Sequence, residues 1–391
     1  MPKLINASFG RESFPRELLG LQSWTTITPA MIGASGPLWD ACYVRAANSG
    51  SGGFYVIGGG GGSMRVVLSS GGGISKVDSP TISTIAEITG ICSPASGGPG
   101  SSDKFVAIGG ASGSSLTANG LSNVFNIASS WALNGSWTTN PLNNWPHRCE
   151  TSLPGQRVVA LGVDAGTGHK LISNKSWSDN TTSAWNVRTP GNTLFFGDGY
   201  IKGRVAPDGS VMACSPSGSL DISIQAGDYG DGGMHLEFSR PSVVDLDYGV
   251  NASLWVVCNG ANVYTTTGWS PGGFPTWTIR NLPAGTAAPN YVVAMDIPNP
   301  PLKVAGFSSG AATPVTWFGI ACSGSNFVGM LLTKDWVNYF VVEVPGLAQI
   351  TRQIFPFDGS VYLRFCGNRL FIFNPYACHI SGPLGVIDRI T

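Results

Sequence analysis

Charge is scarce in this sequence. Lysine and arginine number 22, aspartate and glutamate 22, and together they make 11% of 391 residues, against roughly 25% in an ordinary globular chain. The net charge is zero, so there is no excess of basic groups to neutralise phosphates, and nucleic-acid binding is not expected. Only four histidines occur, His147, His169, His235 and His379, all far apart, and no CxxC pair is present. A metal site or other cofactor site is therefore not expected. No apolar run reaches 18 residues, so membrane insertion is not expected either. The first twenty residues carry Lys3, Arg11, Glu12, Arg16 and Glu17 and lack an apolar core, which is unlike a secretory signal. No dozen residues keep 3.6-residue apolar spacing without glycine or proline, and this excludes an all-helical protein.

What the chain does contain is glycine and apolar strand-like runs. Glycines number 54 and hydrophobic residues make 42% of the chain, enough to bury a core and to exclude a disordered polymer. Seven short runs end in small or turn residues: FYVIGG (54–59), FVAIGG (105–110), VVALGV (158–163), VMACSP (211–216), WVVCNG (255–260), GIACSG (319–324) and LRFCGN (363–368). Taking Ile57, Ile108, Leu161, Cys214, Cys258, Cys322 and Cys366 as equivalent, the spacings are 51, 53, 53, 44, 64 and 44 residues. Most runs lead through a turn into a second strand-like run, such as MRVVLSS (64–70), FVGMLLT (327–333) and RLFIFN (369–374). The turns DGSV at 208–211 and 358–361 are taken to precede equivalent strands.

A repeat of about 50 residues, built of short strands and glycine turns, is the pattern of a β-propeller blade. The fold class expected is all-β, a single seven-bladed β-propeller over residues 23–391 with an extended arm over 1–22. The last unit lacks a tryptophan-bearing fourth strand, whereas SWTTI (23–27) resembles SWTTN (136–140). The N-terminal strand is therefore expected to complete the last blade. A parallel β-helix would repeat at about half this interval.

The eight cysteines are read as mostly reduced. Cys214, Cys258, Cys322 and Cys366 recur at one position of successive units, which points them the same way and keeps them apart. Buried thiols acting as small hydrophobes are expected there, with a disulfide left open among Cys42, Cys92, Cys149 and Cys378.

Chemistry-bearing motifs are few. GFSSG (306–310) and GWSPG (268–272) lack the helix that a nucleophile elbow requires. The glycine run 58–62 opens no helix, which excludes a dinucleotide fingerprint, and it is expected to form a long hairpin loop. Asp245 and Asp247 share a strand face; a glycosidase pair is conceivable, but a solvated edge is the expectation. Asp228 and Asp231 lie in a glycine-rich loop that could ligate calcium, with a plain turn the expectation. No catalytic residue is assigned, and the chain is expected not to be an enzyme.

Segments 174–185, 265–277 and 129–137 resemble degenerate Asp-boxes of sialidase-like propellers, with Asp179 the aspartate match. In that family the box folds the turn between the two outer strands and is structural. The ring of blades, low charge, thiols and polar Gly/Ser/Thr/Asn surface together resemble propeller-type tail proteins in virions of tailed bacteriophages. That resemblance implies a non-enzymatic structural role in a particle assembled in the host cytoplasm. Its partners would be other virion proteins, further copies in a symmetric homo-oligomer, and a host-surface glycan. Phe9, Phe14, Leu18 and Leu19 of the arm would dock a neighbouring subunit, or else wrap on the chain's own propeller. In the alternative, a carbohydrate-binding propeller, Trp131, Trp145, Tyr229 and Trp269 would stack on sugars; a sialidase-like hydrolase ranks below it.

Overall fold

The computed structural model describes residues 3–5, 15–44, 54–70, 73–78, 85–93, 104–111, 121–126, 132–133, 143–151, 157–163, 170–176, 186–188, 202–215, 220–223, 234–236, 243, 245–259, 262–269, 275–283, 291–298, 302–304, 313–323, 328–343, 362–374 and 376–385. The protein is mostly β. It divides into two compact units, one of residues 1–27, 244–269 and 275–391 and one of 28–243 and 270–274.

Among the described residues, the second unit contains four antiparallel four-stranded sheets, each in sequence order. One runs Leu38–Val44, Phe54–Gly59, Met64–Ser70 and Gly73–Asp78. The next begins with Ile85–Cys92 and Lys104–Ala111, the third with Asn143–Thr151 and Arg157–Val163, and the fourth with Lys202–Val205 and Val211–Cys214. The glycine run is a tight turn rather than a long loop. Strand pairing continues to Gly58 opposite Met64, and Gly61 and Gly62 take positive φ of 73° and 65°, which glycine adopts without strain.

Among the described residues, the first unit holds three sheets of four or five strands and one two-stranded hairpin. One comprises Asp245–Gly249, Leu254–Cys258, Val263–Thr266 and Thr278–Arg280. The next comprises Tyr291–Asp296, Phe318–Ser323, Val328–Thr333 and Tyr339–Val342, with Lys3–Ile5 added on its outer edge. The hairpin Leu302–Val304 with Thr313–Val315 lies between its first two strands in sequence, which accounts for the longest repeat interval. The last comprises Tyr362–Cys366, Arg369–Asn374 and Ala377–Ser381, completed by Trp24–Ile27. Trp24 pairs with Ser381 and Ile27 with Cys378, so the N-terminal strand expected from SWTTI is present in that sheet.

Side-chain alternation explains why these strands are apolar on both faces. In Tyr339–Val342, Tyr339 and Val341 enter a core with Val256, Cys258, Met295 and Phe318. Phe340 and Val342 enter another core with Trp317, Leu363, Leu370 and Ile372. Val328–Thr333 does the same, with Leu331 in the first core and Met330 and Leu332 in the second, by the two-residue period of a strand. In the second unit, Val159 and Leu161 meet Val205, Val211 and Ala213 in the same manner.

Two expectations are corrected here. VMAC, LWVVC and FGIAC belong to second strands of their sheets, but YLRFC is the first strand of its own. The sequence DGSV at 208–211 therefore leads into a second strand, whereas its copy at 358–361, which lies outside the described residues, precedes a first strand, Tyr362–Cys366. Residues 16–22 are also not extended: Arg16–Gln22 is a 3-10 helix, and it buries Leu18 and Leu21 in the chain's own core.

Candidate functional site

Among the described residues, four acidic side chains lie buried on the first strands of sheets, and each holds backbone. Asp245 accepts from the Leu246 amide at 2.7 Å and from the Met295 amide at 2.8 Å. Asp247 repeats this two residues on, accepting from Tyr248 at 2.7 Å and Ile297 at 2.6 Å. Asp296 then accepts from the amide of Phe365. In the second unit, Asp40 accepts from Ala41 at 2.8 Å and Ile91 at 3.0 Å. The rule is uniform: one carboxylate oxygen binds the next residue's amide where that bond is formed, and the other reaches the first strand of the following sheet. Asp245 and Asp247 are thus neither a solvated edge nor an open acid pair; they are 4% and 1% exposed. A carboxylate takes about four such bonds, and amide donors offset the cost of burying the charge.

The turns between third and fourth strands carry a second pattern. After Val328–Thr333, the Thr333 hydroxyl accepts from the amides of Asp335 and Trp336. Asp335 accepts from the amides of Val337 and Asn338 and from the Asn338 side chain. Burial acts to raise the Asp335 pKa, but these hydrogen bonds outweigh it and hold the carboxyl below its ordinary value. In the turn after Val263–Thr266, the Thr266 hydroxyl likewise accepts from the Gly268 amide. Both turns read Thr-x-x-Trp, and both place the tryptophan on an aromatic of the second strand. Trp269 lies 5.7 Å from Trp255 and Trp336 lies 4.5 Å from Phe318, centroid to centroid. Arg280 stands over Trp336 at 5.8 Å. The Thr333–Asn338 turn, which is not among the three segments that resemble an Asp-box in sequence, lies between the third and fourth strands of its sheet, where such a box would stand.

Glu87 has the environment of a proton-active group. It is half-buried, receives the Trp39 indole N–H at 3.1 Å, and has its pKa raised by burial, with the Trp39 bond acting in the opposite sense. Nothing in the sequence marked Glu87, because its indole partner lies 48 residues away.

Of the stacking residues expected from sequence, Trp269 is half-buried and packs tilted against Trp255, which in turn meets Tyr248 edge-on at 4.8 Å. Trp131 and Tyr229 lie outside the described residues, as do Asp179, Asp228 and Asp231; Trp145 is in strand Asn143–Thr151, its side chain outside them. Among the docking residues, Leu18 is fully buried in its own chain, because the 3-10 helix turns it inward. It cannot dock a neighbour, which corrects that expectation. Leu19 is 49% exposed, and Phe9 and Phe14 lie outside the described residues. The described cysteines, Cys42, Cys92, Cys214, Cys258, Cys366 and Cys378, are buried thiols without disulfides. Among the described residues, no three or more His, Cys, Asp or Glu side chains are grouped to hold a metal ion, and no helix is long and apolar enough to cross a membrane.

No protein-family model matches the sequence, and no curated protein matches it. Among solved structures, the chain is similar to the GH74 enzyme of Niastella koreensis, with 13% identity and a TM-score of 0.51. The similarity covers 88% of this chain and 43% of that one, so this chain spans less than half the length of that protein. At such identity the likeness concerns the fold alone, and it agrees with a propeller-like arrangement of the sheets.

Proposed function

We propose that the chain is a non-enzymatic, seven-bladed β-propeller that serves as a structural and surface-contacting subunit of a larger symmetric assembly. The observation that supports this reading is the use made of the buried aspartates. Asp40, Asp245, Asp247 and Asp296 all hold backbone amides, and such fully engaged groups are poor proton carriers. The assembly we favour is a tailed-bacteriophage virion, formed in the host cytoplasm. Its support is compositional: low charge and a glycine-rich polar surface. Leu19 remains the docking residue on the exposed side of the N-terminal helix. Expression with the neighbouring virion proteins, followed by size measurement of the purified material, tests this reading. A defined complex weakened by Leu19→Asp supports it, and a chain that stays alone contradicts it.

The second reading is a carbohydrate-binding propeller. It is favoured by Trp269, a half-buried indole backed by Trp255, a suitable surface for the apolar face of a sugar ring. A glycan array separates the two readings.

A further inference from the structure

His379 lies in the strand Ala377–Ser381, along whose outer edge the N-terminal strand Trp24–Ile27 is paired. It is 6% exposed, and its neighbours determine where its proton sits. Asn374 Oδ1 accepts from the amides of Tyr376 at 2.9 Å and Ala377 at 2.8 Å. The Asn374 side chain is thereby oriented, and its Nδ2 faces His379 Nε2 at 3.2 Å. A carboxamide nitrogen only donates, so Nε2 accepts and carries no proton. The ring proton resides on Nδ1, 3.0 Å from Thr26 Oγ1, and Thr26 stands directly opposite His379 in the strand pair. The hydrogen-bond network thus assigns a neutral Nδ1–H ring that joins the two strands.

Adding a second proton would set an Nε2–H against the amino group of Asn374. That donor cannot turn away, because its carbonyl is held by two amides. The imidazolium is therefore disfavoured while the ring stays held between Asn374 and Thr26, and departure of the strand that carries Thr26 would free the ring to turn and be hydrated. We propose that the N-terminal clasp is acid-labile: protonation of His379 releases the strand Trp24–Ile27 from Ala377–Ser381.

Burial lowers the His379 pKa from its ordinary value of 6.5 and is the sole cause of the shift. The titratable groups on the elements around it are Cys378 on its own strand, Arg369, Tyr362, Arg364 and Cys366 on the two inner strands, and Arg16 and Glu17 on the N-terminal helix. None of them contributes to the shift. Arg369 is directed to the Ser381 carbonyl at 2.7 Å, and the strand Trp24–Ile27 has no titratable residue. The sign follows from linkage. With a folded pKa below that of the opened state, the opened state binds more protons, so the clasp is strongest above 6.5 and weakens as pH falls towards the folded value.

Hydrogen exchange of the full chain, corrected for intrinsic rates, tests this at the amides of 24–27 and 377–381. Between pH 7.5 and 5.5 the opening constant should rise by up to about tenfold, the ceiling for one proton over one pH unit below 6.5. The strand Leu254–Cys258 should show no such rise, and His379→Gln should abolish it at the clasp. A clasp equally protected at both pH values overturns the proposal, as does an unchanged pH dependence in His379→Gln. Where that variant fails to fold, nitrogen NMR of the wild-type imidazole decides. An Nδ1–H tautomer titrating below 6.5 supports the proposal, and an Nε2–H tautomer or a midpoint at or above 6.5 overturns it.

Discussion

Asp245 binds the backbone amide of Met295 at 2.8 Å, tying the first strand of one sheet to the first strand of the next across 50 residues of sequence. Asp247 and Ile297 repeat the contact at 2.6 Å. Directional bonds of this sort fix the offset between sheets, which apolar packing alone leaves loose.

Replacing Asp247 by alanine removes a carboxylate that is 1% exposed and strands the amides of Tyr248 and Ile297. The expected loss of stability is on the order of 3 kcal/mol. Asp247→Asn, which keeps one acceptor, should cost less. Denaturant titration of both variants checks this, and equal stability of Asp247→Ala and wild type would show that the bridge has no energetic role.

Deleting residues 1–27 removes the outer strand of the last sheet together with buried Leu18 and Leu21. Two fully buried leucines alone contribute roughly 3–6 kcal/mol, so a large fall in Tm or insolubility is expected. Deleting residues 1–10 removes, of the described residues, the three-residue strand Lys3–Ile5 and should lower Tm far less. Thermal melts of the two truncations compare them directly.

Much of this framework was legible in the sequence. The second strands were found because apolar runs ending in glycine or cysteine stand out by periodicity. The first strands were not, since Asp40, Asp245, Asp247 and Asp296 interrupt them with charge. Those charges are satisfied by amides about 50 or more residues away, a pairing that no local pattern displays. The last unit was placed one strand out of register because YLRFC copies the look of LWVVC. The turn Thr333–Asn338 escaped because its Asp335 is followed by tryptophan and valine instead of glycine. Leu18 and Leu19 could not be told apart in sequence; only the 3-10 helix sends one inward and the other out.

Thiol labelling checks the burial of the cysteines. Cys258 is fully buried, with its Sγ directed to the Asp245 carbonyl at 3.4 Å. Labelling should be slow in the native protein, fast in denaturant and unchanged by prior reduction. Cys258→Ser should cost about 1–3 kcal/mol. Rapid native labelling at this position would contradict the core assignment.

The glycan reading makes its own forecast at Trp269. Trp269→Ala should abolish any array signal with modest loss of stability, whereas Trp255→Ala, at 2% exposure, should lower Tm severely. Retention of full glycan binding in Trp269→Ala would remove this residue from the reading.

Release of reducing ends from a panel of polysaccharides and sialosides bears most directly on the non-enzymatic role. Glu87 is the control, since burial raises its pKa towards that of a general acid. The expected result is no turnover above buffer for the wild type or for Glu87→Gln. Turnover by the wild type that disappears in Glu87→Gln would contradict the account.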